Sequence, residues 1–183
     1  NTVEQFQNAL NQLLKQGAKG LVFDVREDGG GLVAALEKIV DPLLPAGDIA
    51  TATYQDGTTK VLVHSDANEL NLPMMVLVNG NTASAAELFT ASLKDFGKAE
   101  VIGEQTFGKG IMQNTFELPD SGAVTLTVAT YQTTKGECYH GVGITPDVIM
   151  EEDYEKVDFD HPNAEQDAQL KQAMELLQSK ISS

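Results

Sequence analysis

The spacing of hydrophobic positions changes period several times along this chain, and each change marks an element. Val3, Phe6, Ala9, Leu10, Leu13 and Leu14 recur at helical spacing until "QGAKG" stops the run, so a helix is predicted over residues 3–16. "LVFDV" (21–25) is a short apolar run of strand formers, followed by "REDGGG" and a second helical stretch from Leu32 to about Val40, broken by Pro42 and Pro45. "DIATATYQDGTTKVLVHS" alternates well enough for two strands around the turn signal Asp56-Gly57. "MMVLV" (74–78) reads as a buried strand, a helix is expected from about Ser84 to Phe96, and "AEVIG" as another strand. "AVTLTVATYQTT" (123–134) alternates strongly, with a "PDSG" turn before it; "EEDYEKVDFDHPN" reads as an acidic, irregular, solvated loop. A last helix is expected over about 164–181, with Leu170, Ala173, Met174, Leu177 and Ile181 on one face. Strand–helix–strand order predicts an α/β sheet with crossover connections in one domain.

Size and composition narrow the function. The chain has 183 residues, enough for a core without disulfides or metals, and 42% of them are hydrophobic. Twenty-seven acidic residues against 12 Lys and Arg give a formal charge of −15, which argues against nucleic acid or an anionic membrane as partner. Cys138 is the single cysteine, so no intrachain disulfide can form, and no cysteine–histidine grouping suggests a metal site. No apolar run approaches 18 residues. The chain opens directly in a helical pattern and reads as a domain excised from a longer protein, with any export signal outside it.

Function in α/β folds tends to sit in loops beyond the carboxyl ends of strands, and two such loops are unusual here. In "DVREDGGGL", three glycines let N–H groups face open space at a helix start, which suits a phosphate or an oxyanion; a tight strand-to-helix turn explains them as well. In "NGNTASAAEL", Ser84 with Glu87 matches the capping box S-x-x-E. Alternatively Ser84 is a nucleophile at the helix mouth, with the Ala85 N–H free to hold a negative oxygen.

A serine hydroxyl needs a base. His64, His140 and His161 carry no recognisable signature, and no G-x-S-x-G elbow is present. Lysine can serve if an apolar setting keeps it neutral, against an ordinary pKa of about 10.4. "TFGKGIM" surrounds Lys109 with Phe107, Ile111, Met112 and glycines instead of acids, whereas other lysines lie in polar or acidic stretches; Lys109 as a mere surface turn lysine is the alternative. Gln113 could orient the lysine without adding charge.

At these residues the sequence resembles the catalytic domain of the carboxyl-terminal processing, or tail-specific, proteases of S41 type. "GLVFDVREDGGGLVAALEKIVDPLLP", "MMVLVNGNTASAAEL", "VIGEQTFGKGIMQ" and "GVGITPDV" carry the likeness, in order, over nearly the whole chain. The resemblance implies a crotonase-like β-sheet core with crossover helices, spanning about 18–150, in a protease domain covering 1–183. It implies a serine endopeptidase acting on proteins near their C-termini through a Ser84–Lys109 dyad, with Gln113 orienting the lysine. The N–H groups of Ala85 and Gly30 would form the oxyanion hole, with Gly31 as a neighbouring candidate. No cofactor or metal is implied. Expected partners are protein or peptide substrates, a PDZ domain absent from this chain, and further copies of the chain. A bacterial, exported protein of the cell envelope, periplasm or extracellular space is implied. Asp95 falls on an acid frequent in the family, and its helix-end position suggests a structural role.

Departures are visible too. Asp28-Gly29-Gly30-Gly31 stands where the family usually has Asn-Pro-Gly-Gly, and the lost proline should loosen that loop so that the hole forms only with substrate. Thr82 and Ala86 replace common serines. A peptide- or acyl-group-binding module of the same fold, with Ser84 as cap only, is the rival reading.

Overall fold

The computed structural model describes residues 1–66, 69–119 and 121–182. The chain runs α1 (Thr2–Lys15), β1 (Leu21–Asp24), α2 (Val33–Val40), a 3-10 turn (Asp41–Leu43), β2 (Gly47–Tyr54), β3 (Thr59–Ser65), β4 (Met74–Val78), α3 (Ala85–Asp95), β5 (Ala99–Gly103), β6 (Ile111–Glu117), β7 (Ala123–Thr133), β8 (Val148–Ile149) and α4 (Ala168–Ile181). It is a mixed α/β domain with two four-stranded sheets. One is parallel, in the order β1-β4-β5-β8; the other is antiparallel, β3-β2-β7-β6.

β4 lies at the centre of the parallel sheet, between β1 and β5, and its five apolar residues are all buried. A strand covered on both faces needs a continuous apolar run rather than alternation, which is what "MMVLV" supplies. Met74, Val76 and Val78 face the main core with Leu88, Leu93 and Val101, while Met75 and Leu77 face a smaller cluster closed by Ala173 and Leu177 of α4. The apolar stripe of α4 thus covers the second face of the sheet, and exposed Met174 falls outside it.

Two strands escaped the sequence patterns. β6 pairs antiparallel with β7 along its length, but apart from the half-buried Ile111 and Met112 it is exposed, so its sequence shows no clean alternation. β8 has two residues and no periodicity to read. The last helix begins at Ala168, because Asp167 caps it through a hydrogen bond from the Leu170 N–H. Asp120 of the predicted "PDSG" turn lies outside the described residues.

Candidate active site

Three neighbouring parallel strands, β1, β4 and β5, end at the same edge of the sheet, and the loops leaving them (25–32, 79–84 and 104–110) meet there. The first two are stitched together. Glu27 accepts hydrogen bonds from the side-chain amides of Asn79 and Asn81, while Asn79 Oδ1 accepts the N–H groups of Glu27 and Asn81. Thr82 Oγ1 donates to the Val25 carbonyl at 2.7 Å, and the Ala83 N–H donates to the Asp28 carbonyl at 2.9 Å. The Asp28–Gly31 loop, expected to be loose, is therefore anchored to the second loop in this structure.

Ser84 sits at the start of α3 with φ 58° and ψ −119°, a conformation costly for a residue with a Cβ. Glu27, on the facing loop, has φ 59°. The Ser84–Glu87 capping-box arrangement is present, but its close bond is the one from the Ser84 N–H to Glu87 Oε2 at 2.9 Å; Ser84 Oγ makes no side-chain cap hydrogen bond. The serine is half-buried and strained.

Glu87 joins the second loop to the third. Its side chain is fully buried, and it accepts four hydrogen bonds. Oε2 takes the N–H groups of Ser84 (2.9 Å) and Lys109 (2.7 Å); Oε1 takes the Gly108 N–H and the Thr106 hydroxyl, both at 2.6 Å. A carboxylate can lie this deep only when its lone pairs are filled in this way. One oxygen atom thus ties the backbone of the candidate nucleophile to that of the candidate base. Tyr131 of β7 adds a second tie: its hydroxyl donates to the Lys109 carbonyl at 2.8 Å. Burial pushes the Tyr131 phenol above its usual pKa, and a contact with the Ser84 side chain pulls the other way.

Lys109 is half-buried and belongs to no ion pair among the described residues, whereas Lys94, Lys98 and Lys156 pair with Asp147, Glu69 and Asp153. Its expected apolar shelter is only partly there. Ile111 and Met112 are half-buried, but Phe107 is 65% exposed, because its N–H is bonded to the Thr82 carbonyl and the ring turns outward. Gln113 lies exposed on β6 just past a register shift and has no hydrogen bond to Lys109.

Of the expected oxyanion donors, the Ala85 N–H has no acceptor among the described residues. The Gly30 N–H donates to Asp28 Oδ1 at 2.8 Å, so it is engaged in this state. Gly30 presses on the nucleophile turn: a Cβ there would lie 2.6 Å from the Ala83 carbonyl oxygen and 2.7 Å from the Ala85 nitrogen, at φ +95°. Gly31, the neighbouring candidate, has open space around it. An apolar cleft of about 380 Å³ opens beside Gly30 and Ala85, with Phe6, Phe23, Ile39 and Phe89 in its wall. Asp95 points away from this centre and accepts a hydrogen bond from Thr133 Oγ1.

Sequence reasoning missed Tyr131, Thr106 and the bridging use of Glu87. The S-x-x-E spacing was the one available signal, and it announces a helix cap.

The arrangement is that of an α/β protein whose candidate site lies at the carboxyl edge of its parallel sheet. Residues 1–150 match peptidase family S41, and the chain belongs to that family. It is 36% identical over 177 residues to the carboxyl-terminal-processing protease of Synechocystis sp., covering 97% of this chain and 41% of the relative. The chloroplastic C-terminal processing peptidase of Tetradesmus obliquus is 39% identical over 153 residues, 82% of this chain and 33% of the relative. Among solved structures, the photosystem II D1 C-terminal processing protease superposes with a TM-score of 0.76 at 38% identity, covering 82% of this chain and 39% of that one. The chain thus spans well under half the length of these relatives.

Proposed function

We propose that this chain is the reaction core of a carboxyl-terminal processing serine peptidase, with Ser84 as nucleophile and Lys109 as general base. The observation that carries the reading is the shared hydrogen-bond acceptor: N–H groups of both residues converge on Glu87 Oε2, and the next N–H along, that of Ala85, is unspent. In the reaction, neutral Lys109 Nζ takes the Ser84 Oγ proton as Oγ bonds to the peptide carbonyl carbon. The negative oxygen is held by the Ala85 and Gly30 N–H groups, each such donor being worth about 3 to 4 kcal/mol. The Gly30 N–H reaches it by leaving Asp28. Protonated Lys109 then gives its proton to the leaving amine as the C–N bond breaks, and water hydrolyses the acyl-enzyme. We assign Gln113, four residues on from Lys109, the role of orienting the lysine in the substrate complex.

The apolar cleft beside Gly30 and Ala85 fits an apolar side chain next to the cut bond. The two-sheet arrangement with crossover helices supports a crotonase-like core. Bacterial and chloroplastic relatives support an envelope, periplasmic or extracellular setting, and we extend the proposal to a PDZ domain and self-association in the complete protein. Turnover of a fluorogenic peptide with an apolar C-terminus tests it. Ser84→Ala and Lys109→Ala should each lower kcat by at least about a thousandfold, and Lys109→Ala with full turnover would reject the assignment.

A further inference from the structure

A largely buried ion cluster sits at the base of the Gly30 loop, and part of it comes from outside the residues that match the family. Arg26 is 5% exposed. Its guanidinium donates to Asp24 from Nε (2.9 Å) and Nη2 (2.6 Å), to Asp167 from Nη1 (3.1 Å) and Nη2 (2.6 Å), and to Gln169 Oε1 (3.2 Å). Phe159 lies over it, 5.1 Å from the ring centre. Asp167 and Gln169 are buried at the start of α4, beyond the family match that ends at residue 150. Asp167 faces two ways: Oδ1 also caps α4 by accepting the Leu170 N–H at 2.8 Å.

We infer that Asp167 is a positioning residue, through which the docking of α4 fixes Arg26 and hence the Glu27–Gly31 loop that flanks Ser84. Arg26 immediately precedes Glu27, which holds a strained positive φ and donates its N–H to Asn79. A bidentate guanidinium locked between a strand end and a helix cap fixes the loop's departure angle as one hydrogen bond cannot. Removing one carboxylate leaves a buried guanidinium N–H without its acceptor. The geometric part stands on these contacts; its catalytic consequence rests on the peptidase function proposed above.

Asp167→Asn isolates the effect, because asparagine caps a helix as well as aspartate but turns an NH2 toward Arg26. The probe is amide hydrogen exchange in the folded variant, read at Glu27, Asp28 and Ala83, whose N–H groups are bonded within the loop pair, and at Thr53 and Thr130, register partners in the antiparallel sheet. We expect the three loop amides to exchange at least tenfold faster and the two sheet amides to stay within twofold. Arg26→Lys, which keeps the charge and loses the fork, should repeat the pattern. With the peptide substrate, both variants should lower kcat about tenfold or more and leave KM within threefold. Unchanged loop amides, or loop and sheet amides accelerating together, would overturn the inference. An inactive wild type would count against the peptidase reading alone, since the exchange pattern decides the coupling without turnover.

Discussion

Glu87 Oε2 accepts a main-chain hydrogen bond from each of the two residues assigned to the reaction, and its other oxygen takes Gly108 and Thr106. Glutamine at that position keeps the volume but must turn an NH2 toward one pair of donors. An unsatisfied buried donor costs about 1–3 kcal/mol and is relieved by movement of the loops it held. Glu87→Gln should therefore lower kcat on the order of 100-fold while KM changes little, as steady-state kinetics would show. Gly30→Ala should cost about 1–3 kcal/mol in urea unfolding and remove activity, since no Cβ fits between Ala83 and Ala85 at that φ. Ser84 and Lys109, the residues proposed for the reaction, were singled out in the sequence because each stands out against small or apolar neighbours. Glu87 was legible only as a cap, because its contacts to residues 106–109 exist only once β5 lies beside β4. Tyr131 is one aromatic in an alternating strand, and no local pattern sets it apart.

At the scale of elements, helix periodicity and buried apolar runs marked α1–α4, β1, β4 and β5, and with them the sheet edge where the three loops meet. What stayed hidden depends on partners distant in sequence. β6 is defined by pairing with β7, and the dock of α4 on β1 is completed by ions that a hydropathy pattern passes over. That dock has a pH signature. Burial alone would raise the Asp167 carboxyl, but hydrogen bonds from Arg26 and from the Leu170 N–H outweigh it and hold its pKa below the usual value. A depressed carboxylate contributes stability that is present above its unfolded pKa, about 3.9, and is lost as pH falls through the lower folded value. The Tm difference between wild type and Asp167→Asn should be constant above about pH 5 and close below about pH 4. A gap that persists unchanged into that acid range would show that the ionised carboxylate is not what separates the two proteins.

The whole molecule carries −15 formal charges, and its candidate site opens at the edge of a sheet in an acidic chain. Such a field draws cationic substrates and is screened over roughly 10 Å at 0.1 M salt. The kcat/KM of a lysine-rich peptide should fall several-fold between about 10 and 200 mM salt, with a neutral peptide of the same C-terminus unaffected; equal responses would remove electrostatic steering from the account. The proposed chemistry depends on an alcohol and an amine whose backbone N–H groups share one buried side-chain oxygen, that of Glu87. The most direct measurement is a crystal structure of the protein with a peptide boronic acid, whose boron takes the place of the attacked carbonyl carbon. The account predicts a covalent bond from Ser84 Oγ to boron, a boronate oxygen at hydrogen-bond distance from the Ala85 N–H, and Lys109 Nζ within hydrogen-bond reach of Oγ. Boron bonded elsewhere, or Lys109 Nζ turned into solvent away from that oxygen, would contradict it.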